Sequence, residues 1–239
     1  MTSRSRNNRV KLVLFDIDGT LIMTHGAGRR AITRALLDEM GVVGPPDGFR
    51  FDGKTDPQIV MELLAAADSD KAFDLESVEN VCKRYVELLA LELQSATVHV
   101  EVLPGVKELI ELLVSSEAVV LGLLTGNLER GASLKLISAG IDPHQFVVGA
   151  FGSDSRARSD LPRLAAQRAS SLMGHEPSGH DVVIIGDTPA DITCGREIGA
   201  RAIAVTTGSY TRDELEEAGP FAVFDDLSDT PRVLEAVLA

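Results

Sequence analysis

The sequence predicts a three-layer α/β fold: a parallel sheet covered by helices, with an all-helical segment inserted after the first strand. Short apolar runs alternate with amphipathic helical patterns, which is the rhythm of a parallel sheet. That rhythm breaks once, over a gap from about 22 to 100, far longer than a crossover between parallel strands needs. Three of the apolar runs also stop at polar residues that include carboxylates.

Taken in order, residues 10–15 read as a buried strand that stops at Asp16, and residues 119–124 as a second that stops at Thr125. Residues 146–148 form a short third, and residues 181–185 a fourth that stops at Gly186-Asp187. Residues 202–205 and 221–224 are weaker runs, expected as edge strands. Amphipathic helices fall near 106–116, 128–139, 161–173, 189–198 and 228–238. Gly140 and Gly199 stand where helix C-termini need a residue tolerant of the left-handed conformation.

The long gap carries helical patterns of its own. Ala31, Ile32, Ala35, Leu36 and Met40 make one stripe, and Ile59, Val60, Leu63 and Leu64 a second. Leu75, Val78, Val81, Cys82, Tyr85, Leu88 and Leu89 make the longest. Asp56 reads as an N-cap with Pro57 at the first helical position, so the stretch before it is a loop. Leu103-Pro104-Gly105 marks the return to the sheet. The expected division is a main domain of residues 1–21 and 101–239 with an insert of 22–100, which suits a chain of 239 residues.

Composition excludes several classes. Lys plus Arg is 23 against 36 Asp plus Glu, a formal charge of −13, so a nucleic-acid partner is not expected. The basic run Arg4, Arg6, Arg9 reads as a solvated end. No apolar stretch approaches the roughly 20 residues of a membrane span, and no apolar signal region precedes Val10. Cys82 and Cys194 are isolated, without zinc or redox spacing, which fits a reduced, cytoplasmic protein. The five histidines, at 25, 99, 144, 175 and 180, are scattered and suggest no histidine metal site.

The chemistry concentrates at three strand ends: Asp16-Ile17-Asp18-Gly19-Thr20, Thr125-Gly126-Asn127, and Gly186-Asp187-Thr188-Pro189-Ala190-Asp191. Open parallel sheets bind ligands at the carboxyl ends of their strands. If these strands are neighbours, four carboxylates and a hydroxyl converge. Packed carboxylates repel, so the cluster calls for a cation or raised pKa values. Hard oxygen ligands with room for water favour Mg²⁺, which in turn suits a phosphoryl substrate. A carboxylate attacks phosphorus to give an aspartyl-phosphate, and a second carboxylic acid two residues on protonates the leaving oxygen and then activates water. Gly19, lacking a Cβ, permits the turn that brings Asp18 round.

The motif Asp16-Ile17-Asp18-Gly19-Thr20 after an apolar strand resembles motif one of the haloacid dehalogenase superfamily. Leu124-Thr125-Gly126-Asn127 resembles its motif two, and the stretch from Gly186 to Asp191 its motif four. The resemblance covers nearly the whole chain and is nearest to the phosphoglycolate-phosphatase-like branch. It implies a Rossmann-like core, with residues 22–100 as a helical type-one cap. It further implies Asp16 as nucleophile and Asp18 as general acid/base. Mg²⁺ would be held by the Asp16 carboxylate, the Asp18 backbone carbonyl and Asp187. Asp191 is split between supporting that metal site and capping a helix. Thr125 and the Gly126-Asn127 stretch would bind phosphoryl oxygens, with Asn127 also a candidate helix cap. Dehalogenases of the superfamily lack the second aspartate, so Asp18 points to phosphoryl chemistry.

Motif three departs from the family, which places a lysine between the third and fourth strands. Between Gly152 and Asp181 there is none, and arginines stand at 156, 158, 163 and 168. Arg158, shortly before Leu161-Pro162, is the choice and Arg156 the rival, since a guanidinium offers phosphate a planar fork. Lys54, in the loop before Pro57, is a candidate to reach substrate or a solvated lysine. Arg29 and Arg30 read as a solvated helix face rather than as partners of an acidic leaving group. Cys82 reads as core. The expectation is a Mg²⁺-dependent phosphatase for a small phosphorylated metabolite, monomeric or homodimeric, with no membrane partner. A phosphosugar mutase of the beta-phosphoglucomutase type, a phosphonate hydrolase using Lys54, and a non-catalytic binding module are the alternatives.

Overall fold

The computed structural model describes residues 10–67, 74–95 and 98–239; the basic run Arg4, Arg6, Arg9 lies outside them. Nine helices and eight strands are described, in the order β1 (Lys11–Phe15), β2 (Ile22–Met23), α1 (Ala27–Met40), α2 (Asp56–Ala67) and α3 (Leu75–Gln94). Then follow β3 (Glu101–Val102), α4 (Val106–Val114), β4 (Val119–Thr125), α5 (Glu129–Ser138), β5 (Val148–Phe151) and α6 (Leu161–Met173). The chain ends with β6 (Val182–Gly186), α7 (Pro189–Cys194), β7 (Arg201–Val205), α8 (Arg212–Glu217), β8 (Ala222–Phe224) and α9 (Thr230–Leu238). No helix among the described residues is long and apolar enough to cross a membrane.

Six strands form one parallel sheet in the order β5-β4-β1-β6-β7-β8. β1 is central, and all five of its residues are buried because helices cover both faces. Side chains alternate across it with the period of two that a strand imposes. Val13 and Phe15 pack in the cluster that holds Leu109 and Ile110 of α4 and Val233 of α9. Leu12 and Leu14 pack in the opposite cluster with Leu161, Ala165 and Ala169 of α6. These are the three layers expected from the alternating pattern.

The helices α1, α2 and α3 share a third cluster, around Ile32, Leu36, Ile59, Leu63, Val81, Tyr85 and Leu89. Where the chain leaves the sheet and returns to it, β2 and β3 pair antiparallel, Ile22 with Val102. Runs of two residues are too short to show any period, so this ribbon has no signature in the sequence.

Several expectations need correction. The third strand runs over Val148–Phe151 rather than 146–148, because Phe146 closes a 3₁₀ turn (Pro143–Gln145) and Val147 is 61% exposed. β7 is not an edge strand: it lies between β6 and β8, and Ala202 to Val205 are buried. The helix expected over 189–198 ends at Cys194 and passes through Gly195 into a 3₁₀ turn (Arg196–Ile198). Leu75 starts α3 but is 60% exposed, one turn short of the stripe that begins at Val78. α8 was missed because six polar-rich residues carry no stripe, although the capping box of Thr211 and Glu214 is legible. The glycines at 140 and 199 do adopt φ of +71° and +69°.

The turn into α4 is a tight junction with the segment after β8. Gly105 has φ +76°, and a Cβ there would sit 2.0 Å from the Leu227 carbonyl oxygen. Gly105→Ala is therefore expected to lower stability by about 2 kcal/mol or more, read from urea unfolding at 25 °C; an unchanged midpoint would contradict this packing.

Candidate active site

Because β4, β1 and β6 are adjacent, their carboxyl ends bring Thr125, Asp16 and Asp187 side by side at one rim of the sheet. Each follows a run of apolar residues that packing holds in register, so these polar groups are fixed by the core beneath them. They open into a cavity of about 330 Å³, whose walls also include Asp18, Lys54, Asp56, Asn127, Lys135 and Arg158. That volume lies at the small end of ligand pockets.

Two clusters divide the rim. In the first, Asp16, Asp187 and Asp191 are all buried, with one oxygen each within 4.8 Å of the others. Arg158, itself buried, places Nη2 3.2 Å from Asp16 Oδ1 and also binds Asp191 Oδ1. Thr20 donates to Asp187 Oδ1 at 3.0 Å. Asp191 Oδ2 accepts from the Thr188 N–H at 3.0 Å and hydroxyl at 2.7 Å, completing the capping box of α7. It therefore caps the helix, the first of its two expected roles, and it also binds Arg158.

Burial dominates the electrostatics. It pushes Asp16 up to about 6 against the pull of Arg158, with Asp191 and Asp18 adding to the rise. It raises Asp187 well above the ordinary carboxylate range, helped by Asp191 and Asp16. Burial also works against the charge on Arg158, but Asp191 and Asp16 outweigh it and hold the guanidinium above its usual value. One guanidinium, bound to two of three buried carboxylates, leaves negative charge uncompensated. That imbalance, and the all-oxygen donor set, fit a divalent cation.

The second cluster centres on Asp18, whose side chain is not among that trio. The turn at Gly19 (φ +82°) directs it elsewhere; a Cβ at Gly19 would lie 2.4 Å from Asp187 Oδ2. Asp18 Oδ2 accepts from Lys135 Nζ at 2.6 Å and from Asn127 Nδ2 at 2.8 Å. Lys135 also donates to Asn127 Oδ1 at 2.6 Å, and Asn127 Nδ2 donates to Thr125 Oγ1 at 2.8 Å. Asn127 is accordingly no helix cap: Leu128 occupies that position at the start of α5.

Of the two motif-three rivals, Arg158 reaches the carboxylates, whereas Arg156 is exposed and donates to Met61 Sδ at 3.3 Å. Gly126 contributes its carbonyl, which accepts the Asp56 N–H at 2.7 Å. Lys54 does line the cavity, but Glu62 Oε2 holds its Nζ at 2.5 Å. Asp56 is not the N-cap expected: Thr55 Oγ1 accepts the Gln58 N–H, and Asp56 is the first residue of α2. Its carboxylate instead accepts the Leu128 N–H at 2.8 Å.

Sequence reasoning missed Lys135 and Asp56; Arg29, read as solvated, is exposed and also lines the cavity. For Lys135 a signal existed. It is 4% exposed on the face of α5 that buries Gly131, Ala132 and Leu136, and a lysine inside an apolar stripe needs a buried partner.

Comparisons with known proteins place the chain among similar folds and sequences. Residues 161–230 match the family model described as HAD-hydrolase-like. The chain is 26% identical over 220 residues to a phosphoglycolate phosphatase of Rhodospirillum rubrum, covering 91% of this chain and 88% of the relative. It is 26% identical to a phosphoglycolate phosphatase of Haemophilus influenzae, covering 95% of this chain and all of the relative. Among solved structures, a hydrolase from Pseudomonas syringae superposes with TM-score 0.72 at 22% identity, over 95% of this chain and 98% of that one.

Burial also pushes Asp56 up to about 6, against Lys135 and the Leu128 N–H. A carboxyl raised on folding contributes stability that is present below pH 4 and lost as pH rises towards 6. Asp56→Asn keeps an acceptor for Leu128 and removes that loss. The stability of the variant minus that of the wild type should rise by about 2–3 kcal/mol between pH 4 and pH 7 in urea titrations. A flat difference would contradict the buried-carboxylate reading.

Proposed function

We propose that this chain, a phosphoric monoester hydrolase of the haloacid dehalogenase superfamily, is a Mg²⁺-dependent phosphatase acting through a phospho-aspartyl intermediate. Its substrate would be a small phosphomonoester, phosphoglycolate-like or a sugar phosphate. The observation that carries this reading is the pairing of Asp16 with Arg158 and of Asp18 with Lys135 on one cavity wall. Two carboxyl groups two residues apart are thereby held in different environments, as a nucleophile and an acid/base must be.

In this reading Arg158 draws a phosphoryl oxygen towards Asp16, whose carboxylate attacks phosphorus as the ester bond breaks. Asp18 gives its proton to the departing oxygen, then takes one from the water that cleaves the acyl phosphate. Lys135 and Asn127 hold the Asp18 carboxyl at the cavity wall between these two transfers. Thr125 orients the phosphoryl group through its hydroxyl. Mg²⁺ would be held by Asp16, Asp187 and the backbone carbonyl of Asp18, with Asp191 in support, and would neutralise the charge that separates an anionic nucleophile from a phosphate.

We assign residues 22–100 as the cap over this site. Their loop 51–54 forms part of the cavity wall, which supports a role in excluding water during transfer. Lys54 is engaged by Glu62 as an ion pair, which argues against its use as a free amine in phosphonate hydrolysis.

Inorganic-phosphate release across a panel of small phosphomonoesters tests the proposal. Release should require Mg²⁺, stop on chelation, and fall at least about 10³-fold in Asp16→Asn while the circular dichroism spectrum is retained. Substantial activity in that variant would overturn the nucleophile assignment. Lys135→Met should lower kcat by roughly 10²-fold, with a smaller effect on KM; an unchanged kcat would remove Lys135 from the positioning of Asp18.

A further inference from the structure

Four cations line the cavity: Arg29, Lys54, Lys135 and Arg158. Three of them are matched by carboxylates. Lys54 pairs with Glu62, Lys135 with Asp18, and Arg158 with Asp16 and Asp191. Arg29 is different. Among the described residues no carboxylate oxygen comes within ion-pair distance of it, although its neighbour Arg30 pairs with Glu92 at 2.9 Å.

Arg29 is nevertheless held in place. Its guanidinium lies over the Phe51 ring, 4.0 Å from the centroid, and Nη2 donates to the Phe49 carbonyl at 3.4 Å. Phe49 and Phe51 pack edge to face at 5.4 Å, so the platform is itself braced. A guanidinium has five N–H donors, and here one is used. Stacking on an aromatic face holds its plane and leaves the in-plane donors free, an arrangement that suits a planar or tetrahedral oxyanion. The charge is carried by α1 and the platform by the loop before α2, and Arg29 and Phe51 line the same cavity as Asp16 and Asp187.

We propose that Arg29 binds a second anionic group on the leaving-group part of the substrate, so that the enzyme selects phosphomonoesters of small, negatively charged alcohols. The inference rests on the phosphatase reading and adds to it the class of alcohol released. The cavity of about 330 Å³ must hold the phosphoryl group and the second anion together, which limits the spacer between them to a few atoms. A carboxylate and a second phosphate share this chemistry, and the substrates below separate them.

The test uses 2-phosphoglycolate, ethane-1,2-diol bisphosphate and 2-hydroxyethyl phosphate, the last being the counterpart whose leaving alcohol is neutral. Wild-type protein with Mg²⁺ should show a kcat/KM about 10- to 100-fold higher for at least one substrate with an anionic leaving alcohol than for the one whose leaving alcohol is neutral. Preference for phosphoglycolate identifies a carboxylate, and preference for the bisphosphate a phosphate. Arg29→Gln should bring the ratio to within about threefold of unity, and Arg29→Lys should restore part of it. A wild-type ratio near one, or an equal fall for charged and neutral leaving alcohols in Arg29→Gln, would overturn the proposal.

Calorimetric titration of the same compounds into Asp16→Asn, with and without Arg29→Gln, reads the contact without turnover. Absence of a charge preference there overturns the anion subsite even where hydrolysis is observed. Wild-type protein that hydrolyses none of the three, while Asp16→Asn keeps the Arg29-dependent preference, overturns the phosphatase reading and supports the subsite.

Discussion

Asp16 ends a strand with no exposed residue, so its carboxylate leaves water when the sheet forms, and Asp187 and Asp191 leave water beside it. Burying unpaired charge costs several kcal/mol per ion, and like charges add to that cost. The surroundings of the site follow from meeting this demand. Arg158 is brought in from the short turn just before α6 to face two of the three carboxylates. The capping box of α7 occupies one oxygen of Asp191, and the Thr20 hydroxyl reaches Asp187. The charge still unmatched is what makes the cluster suited to a divalent cation.

The same demand links the two parts of the chain. Asp56 opens α2 with its N–H on the Gly126 carbonyl and its carboxylate on the Leu128 N–H. Thr55 adds a hydrogen bond from its hydroxyl to the Arg156 carbonyl at 2.8 Å. The helical segment therefore rests on the loop after β4 through backbone groups, and Gly126 is required there because a Cβ would lie 2.0 Å from the Lys54 carbonyl oxygen. Lys135, buried on α5, pairs with Asp18. One cavity is thus lined by the strand ends that bear Asp16, Thr125 and Asp187 together with residues of α1 and of the loop before α2.

Much of this was legible without coordinates. β1, β4 and β6 are buried on both faces, which leaves unbroken apolar runs, and each run stops abruptly at the residue that reaches the rim. The Asp16–Asp18 spacing and the proline after Asp56 were equally plain. What failed, failed for local reasons. The two-residue ribbon of β2 and β3 has no period, and β5 is displaced because Val147, apolar by type, faces solvent. Asp56 looked like an N-cap because Asp before Pro usually is one. Thr55, one residue earlier, took that role once the carboxylate found Leu128.

The sequence by itself determined the layers, the polar strand ends and the insertion of a helical segment after the first strand, since each depends on periodicity or on residues close in the chain. Only the tertiary structure decided which charges meet. Lys135 answers Asp18 across 117 positions, Arg158 was separated from Arg156, and Arg29 was found on a cavity wall without a carboxylate partner among the described residues. Strand order and the rotation of each helix about its axis settle such pairings, and both are set by packing between elements distant in the chain. A run of residues records which of its faces is apolar, and carries no record of what that face will meet.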